Sequence, residues 1–331
     1  VKYCLPIPYI DQSVFETLRK CLLSHLEHVS KVQVDRRILS IDESIKGIHG
    51  EPDFKAISRS SSPGYPYNIQ AKKSKGKTGI FGDAEEISLE NLEAEKFIEH
   101  VKHVTHNLKQ GIRLEHIYTD SVKDELRNLA KVESGASRAF SAGPLALLVI
   151  MRMYFGSFVL WCQKNHTENG MEVGINVFSD DWQLLFLKLL KHGTPTSRNG
   201  DDGDFSGFDG CQKPVPQWAA CDLINSWYDD GPVNKKIREI IFLEIVQSKH
   251  IRGSLIVEWL GSNPSGNYLT TTVNNLYNLL CALYVWHKIH DYDIKKLYTF
   301  FDNVEYHVFG DDNVFTCSQY AIPLFNAPAL E

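Results

Sequence analysis

The stretch Phe309-Gly310-Asp311-Asp312-Asn313 constrains this chain more than any other. Val308 and Phe309 precede the glycine, and Val314 and Phe315 follow the asparagine. Two short apolar β-runs around a Gly-Asp-Asp core predict a hairpin, with glycine supplying the backbone conformation that a tight turn demands. Adjacent carboxylates on a turn repel each other unless a positive charge holds them, and Mg²⁺ is the usual partner. Asp and Asn are also ordinary turn formers, so this string alone leaves both readings open.

Upstream lies a second acidic, glycine-punctuated turn, Asp201-Asp202-Gly203-Asp204-Phe205-Ser206-Gly207-Phe208-Asp209-Gly210, ahead of an amphipathic segment around Trp218–Trp227. Asp204 is predicted at a strand end, and Asp209 opens the following helix. That layout lets Asp204 face a metal while Asp209 lines the other side of the same cleft. Asp201 and Asp202 fall outside this spacing and read as solvated loop charges or a cap. Between the two acidic clusters, Gly261-Ser262-Asn263-Pro264-Ser265-Gly266-Asn267-Tyr268 leads into a long helical run to about His290. On that helix Thr270 and Asn274 are four apart and share a face. The junction reads equally as an N-cap.

At these residues the sequence resembles a known family. DGDFSGFDG, SNPSGNYLTTTVNN and FGDDN are similar to motifs A, B and C of picornavirus-like RNA-dependent RNA polymerases of the dicistrovirus and iflavirus type. Upstream, Val122 to Arg127 together with KVESGASRAFSAGP from Lys131 resembles motif F, and Ser61-Ser62-Pro63-Gly64-Tyr65-Pro66-Tyr67 resembles motif G. The order G, F, A, B, C is the family's own, and the resemblance runs from Ser58 to Thr316. It implies an α+β chain with the right-hand polymerase fold, in which an antiparallel palm sheet is flanked by helices. Residues 1–200 would be mainly fingers and residues 201–331 mainly palm, with the two interleaved and the thumb missing.

Composition agrees without demanding this. The chain has 331 residues and 43% hydrophobic content, enough for a sizeable core and about two domains. No apolar run reads as a membrane span, and VKYCLPIPYI lacks the pattern of a signal peptide. Seven scattered cysteines form no Cys-x-x-Cys pair, which points to a reduced, cytosolic compartment and neither zinc nor a disulfide framework. The net charge of −6 is unexpected for an RNA-binding chain, but its distribution is uneven. From Phe54 to Gly82 there are six Lys or Arg (Lys55, Arg59, Lys72, Lys73, Lys75 and Lys77) and no acid. A local basic surface is what backbone phosphates require; a solvated Lys-rich loop would read the same. His100, His103 and His106 read as a solvated helical face, and Trp218, Trp227, Tyr277, Leu280 and Tyr284 as core. Helices are predicted near Ser13–Val29, Leu89–Leu108 and Leu145–Cys162.

The resemblance implies template-directed nucleotidyl transfer from NTPs to an RNA 3′-hydroxyl by two Mg²⁺ ions, with Mn²⁺ as a substitute. Asp204 and Asp311 would bridge the metals, Asp312 would assist, and the Phe205 carbonyl would complete a shell. Lys123 and Arg138 match the cations that meet the triphosphate. Arg127 and Lys131, with Ser61, Ser62 and Gly64, are candidates for RNA contacts. Asp209 accepting, Asn274 bridging, and Ser265 or Thr270 adjusting the pocket would reward a 2′-hydroxyl. The implied partners are template and primer RNA, a genome-linked protein primer and other replication proteins, in membrane-associated complexes of the host cytoplasm. Three departures stand out. Phe309 replaces the usual Tyr, Ala136 replaces a common Lys, and the chain ends at Glu331 before motifs D and E and the thumb. A segment incomplete for activity is therefore expected. A non-catalytic polymerase-like remnant and a reverse transcriptase are the competing readings.

Overall fold

Long-range strand pairing decides how this chain divides. The computed structural model describes residues 9–70, 75–133, 139–205, 207–326 and 329. Among them, strands β1 (Ile117–Val122), β2 (Ala139–Ala142), β4 (Gln247–Arg252) and β5 (Leu255–Leu260) form one sheet in the order β2-β1-β4-β5. Strands β3 (Gly200–Asp204), β6 (Val304–Phe309) and β7 (Asp312–Cys317) form another in the order β3-β7-β6. Helices and mostly antiparallel strands together give the expected α+β class. Two compact units result: one holds Val1–Arg37, Ser157–Asp229 and Thr271–Glu331, the other Ile38–Gly156 and Asp230–Thr270. The two units alternate along the chain. The β4–β5 hairpin leaves its sequence neighbours because β4 pairs in parallel with β1, Tyr118 opposite His250.

The unit built on β3, β7 and β6 has an aromatic centre. Trp161 and Trp227 lie 5.3 Å apart, and Phe158 lies 5.3 Å from Trp227. Helix Gln12–Val29 starts where the Asp11 carboxylate accepts the Ser13 N–H at 2.8 Å, a side-chain N-cap. Its Phe15 stacks on Tyr284 at 5.6 Å, and helices Pro214–Tyr228 and Thr270–Ile289 complete the apolar packing. The outer edge of β6 is covered by residues 170–172, since Val308 donates to Gly170 at 2.8 Å and accepts from Glu172 at 2.9 Å. Edge coverage of this kind satisfies backbone groups that would otherwise be left unpaired.

In the unit built on β2-β1-β4-β5, Arg152 is the main polar tie. Its guanidinium donates to the carbonyls of Ser44 and Lys55 at 2.7 and 2.6 Å and lies 4.1 Å above the Phe54 ring. Arg113 pairs with the buried Glu244 at 2.8 Å. Ser40 and Glu43 form a reciprocal capping box on helix Ile41–Lys46, satisfying two backbone donors.

Contrary to the sequence reading, among the described residues one helix, Leu145–Lys164, is long and apolar enough to cross a membrane by length and composition. With 94% of that window buried inside the protein, it is a core helix. The predicted helices otherwise appear close to their expected limits, including Leu92–Lys109, on which His100, His103 and His106 are exposed. Trp218 and Tyr284 are half-buried, while Trp227, Tyr277 and Leu280 are core.

Candidate active site

Strand register brings the two acidic turns together. β3 ends at Asp204, directly opposite Asp312 at the start of β7. Phe309 pairs with Asp312 across β6 and β7, so Gly310 and Asp311 are the two loop residues of a tight hairpin. Gly310 has φ +70°, a conformation that suits glycine and such a turn. Asp201 and Asp202, read from sequence as loop charges, are exposed β3 residues opposite Phe315 and Val314.

The turn is held by the helix Thr270–Ile289. Gly310 N–H donates to Asn275 Oδ1 at 2.6 Å, and Asn278 Nδ2 donates to the carbonyls of Gly310 and Asp311 at 3.2 and 3.3 Å. Asn278 Oδ1 accepts the Tyr306 hydroxyl at 2.9 Å. Sequence reasoning missed Asn275 and Asn278. The signal was there in Val273-Asn274-Asn275-Leu276-Tyr277-Asn278, because amides inside an apolar helix need partners once buried.

Electrostatics fit an oxygen-ligand cation site. Burial first, then the negative charges of Asp311 and Asp204, hold the Asp312 carboxyl above its usual range. Among the described residues no group of three or more His, Cys, Asp or Glu side chains is gathered into a metal cage. Magnesium does not require one, since it keeps waters and is commonly held by one or two carboxylates plus substrate phosphates. The all-oxygen donors at the strand ends fit that chemistry. Phe309 is 49% exposed. Phe205, just past β3, lies 4.6 Å from Phe208.

Asp209 and Asn274 meet as expected. Asn274 Nδ2 donates to Asp209 Oδ1 at 2.8 Å, Gln212 Nε2 donates to Asn274 Oδ1 at 2.6 Å, and Gln217 Nε2 donates to Gln212 Oε1 at 3.1 Å. An ionised carboxylate only accepts, so it dictates the orientation of every amide behind it. Gln212 and Gln217 are nearly fully buried and were not anticipated. The Thr270 hydroxyl, expected to adjust the pocket, donates to the Pro264 carbonyl at 2.9 Å within its own loop. Ser265 is exposed, and its Oγ accepts the Ser141 N–H at 3.1 Å.

The remaining candidates are more mixed. Lys123 is half-buried just beyond β1. Arg127 is paired with Glu125 at 2.7 Å, so its charge is partly neutralised before any RNA arrives. Lys131 lies on the short helix Leu129–Glu133, with its side chain outside the described residues, as is the whole of Arg138. Ser61 and Ser62 are exposed, whereas Gly64 is buried at φ +66° and a Cβ there would lie 2.3 Å from the Gly143 carbonyl oxygen. Tyr67 is half-buried, with its ring 5.6 Å from that of Phe97.

The basic stretch is less available than its composition suggested. Lys77 is 3% exposed, and its ammonium donates to the Ser58 and Ser61 carbonyls at 3.0 and 3.1 Å and to the Ser61 hydroxyl. Burial lowers its pKa to about 8. Arg59 donates to the carbonyls of Gly82 and Glu85 at 2.9 and 3.0 Å. Both cations turn inward because chain carbonyls offer them acceptors. Lys75 is exposed, and Lys72 and Lys73 lie outside the described residues.

Comparison with known proteins settles the family. The profile described as viral RNA-dependent RNA polymerase matches residues 2–327. The chain belongs to that family. Among its curated relatives is a replicase polyprotein of Cricket paralysis virus, 32% identical over 333 residues, covering 96% of this chain and 18% of the relative. One from Acute bee paralysis virus is 32% identical over 337 residues, covering 98% of this chain and 17% of the relative. The chain thus spans under a fifth of the length of these polyproteins. A solved structure, a sicinivirus 3Dpol RNA-dependent RNA polymerase, shares the fold with a TM-score of 0.74 at 19% identity, covering 98% of this chain and 61% of that one. The expected dicistrovirus-like affinity and polymerase fold are therefore correct.

Proposed function

We propose that this family member is the catalytic segment of an enzyme that joins NTPs to an RNA 3′-hydroxyl under the direction of an RNA template. The observation that carries the reading is Asp204 facing Asp312 in register, with Asp311 in the adjoining turn and that turn held by Asn275 and Asn278. Two divalent ions, magnesium or manganese, would supply Lewis-acid stabilisation of the attacking and leaving oxygens. Asp204, Asp311 and Asp312 would hold the ions through carboxylate oxygens, and Phe205 through its carbonyl. Asp209, oriented by Asn274, accepts a hydrogen bond from the ribose 2′-hydroxyl. A deoxynucleotide would leave that acceptor unpaired. Ser265 adds a further sugar contact. Lys123 and Arg138 serve the triphosphate. Ser61 and Ser62 would contact the RNA, with the buried Gly64 shaping the turn that carries them.

The same reading extends to a genome-linked protein primer and other replication proteins as partners. It places the enzyme in membrane-associated complexes of the host cytoplasm. The decisive experiment is primer extension by the polymerase containing this segment, with Mg²⁺ and four ribonucleotides. Asp311→Asn should cut incorporation by roughly a hundredfold or more, at least matching the loss of a metal-supporting group, with the fold preserved. Parent-like turnover by that variant would refute the assignment.

A further inference from the structure

Away from the acidic turn, a buried polar row in the β2-β1-β4-β5 sheet ends on the loop that carries Ser265. His250 and Ser248, both on β4, have no exposed surface. His250 Nδ1 lies 2.8 Å from Asp120 Oδ1, and Nε2 lies 2.9 Å from Ser248 Oγ. The Ser-His-Asp order is that of a nucleophilic triad, but a sealed hydroxyl meets no substrate. The carboxylate can only accept, so Nδ1 carries the imidazole proton and Nε2 takes the Ser248 hydroxyl. Trp259 and Tyr118 stack on the ring, with centroids at 3.6 and 5.3 Å, and hold its plane.

The row continues towards the loop. Asp120 Oδ1 also accepts the Ser141 hydroxyl at 2.7 Å, and the Ser141 N–H donates to Ser265 Oγ at 3.1 Å. The two backbones touch here: a Cβ on Gly266 would lie 1.7 Å from the Ser141 carbonyl oxygen. Burial pushes the Asp120 carboxyl up, but hydrogen bonds from His250 and Ser141 and the charge of Arg252 outweigh it and hold the pKa below its usual value. A charged acceptor makes both of its hydrogen bonds stronger than neutral ones.

We propose that His250 and Asp120 are positioning residues for sugar selection: they fix Ser141 on β2, and Ser141 fixes the Ser265 hydroxyl. With one lone pair of Ser265 tied to the Ser141 N–H, its own proton remains to be donated to a ribose oxygen. This inference rests on the reading of Ser265 as a sugar contact.

The test measures kcat/KM for a ribonucleotide relative to its 2′-deoxy counterpart, by single-nucleotide extension with the polymerase containing this segment. His250→Phe and Ser141→Ala should each lower the ratio roughly three- to tenfold, the range of one lost hydrogen bond. His250→Asn keeps a donor near the Nδ1 position and should stay within about twofold of the parent. Adding Ser265→Ala to either damaging variant should produce no further loss, because the residues act as one unit. An unchanged ratio in Ser141→Ala and His250→Phe, or losses that add to that of Ser265→Ala, overturns the inference. An unchanged ratio in Ser265→Ala alone overturns the sugar-contact reading and the inference with it. Should His250→Phe fail to fold, Ser141→Ala and its double variant with Ser265→Ala decide the matter.

Discussion

Asn278 donates to the carbonyl of Asp311 at 3.3 Å from the middle of a buried helix, tying the acidic turn to the core of its unit. Asn278→Leu would strand the Tyr306 hydroxyl and loosen the turn. Stability to urea should fall by about 1–3 kcal/mol, the range for a buried polar group left unpaired. Nucleotide incorporation should fall by more than the folded fraction does. A variant as active and as stable as the parent would remove Asn278 from the account.

Sugar choice should depend on the Asp209–Asn274 pair, which meets at 2.8 Å. Asn274→Asp replaces a donor with a second acceptor and sets two carboxylates against each other. The preference for ribonucleotides should drop by at least about tenfold, comparable to losing one hydrogen bond to a charged group. Competition between labelled ATP and dATP reads this directly, and parent-like selectivity would make the pair structural.

The two halves of the basic stretch should respond differently to salt. Lys75→Ala removes an exposed cation and should reduce the slope of log K for single-stranded template against log salt by about 0.7. Lys77→Met should weaken template binding while leaving that slope unchanged, because the buried ammonium already serves Ser58 and Ser61. Equal slope changes in the two variants would contradict the inward orientation of Lys77.

His307 predicts a pH dependence of stability. Burial disfavours its charged form, yet the hydrogen bonds it donates to Glu172 and Glu305 and their negative charges outweigh it and raise its pKa. Glu305 is pushed up by burial but drawn down to about 2 by His307 and Lys191. A raised histidine stabilises fully below its unfolded value near 6.5 and loses that contribution as pH rises through the folded value. A lowered Glu305 stabilises fully above about 4.5 and loses that contribution as pH falls towards 2. Stability from this cluster should therefore be greatest between about pH 4.5 and 6.5. His307→Gln should cost about 3 kcal/mol at pH 6, as breaking a buried pair does, and less at pH 9. Urea midpoints across that range check the sign.

The chemistry was legible where it sits in short contiguous strings around turns. Asp204, Asp209, Asp311 and Asp312 could be placed on strand ends and a helix start before any coordinates, because glycine and the flanking apolar runs punctuate the chain. What supports them was not legible. Asn275, Asn278, Gln212 and Gln217 become meaningful only once burial shows that they must find partners. Lys77 and Arg59 look like surface charges in a string, and only the fold reveals the carbonyls that turn them inward. The migration of the β4–β5 hairpin to β1 depends on a parallel pairing across more than a hundred residues, which no local pattern encodes.

The amide row behind Asp209 also bears on how such a chain can change over time. Its hydrogen bonds all point one way, from Gln217 through Gln212 and Asn274 to the carboxylate. Exchanging that carboxylate for a donor would force each amide behind it to turn over, so a lone substitution leaves a mismatch that only further substitutions relieve. Mutational paths that alter sugar preference through position 209 should therefore pass through positions 212, 217 and 274, and a lineage that acquires only the first step should carry a defect until the others follow.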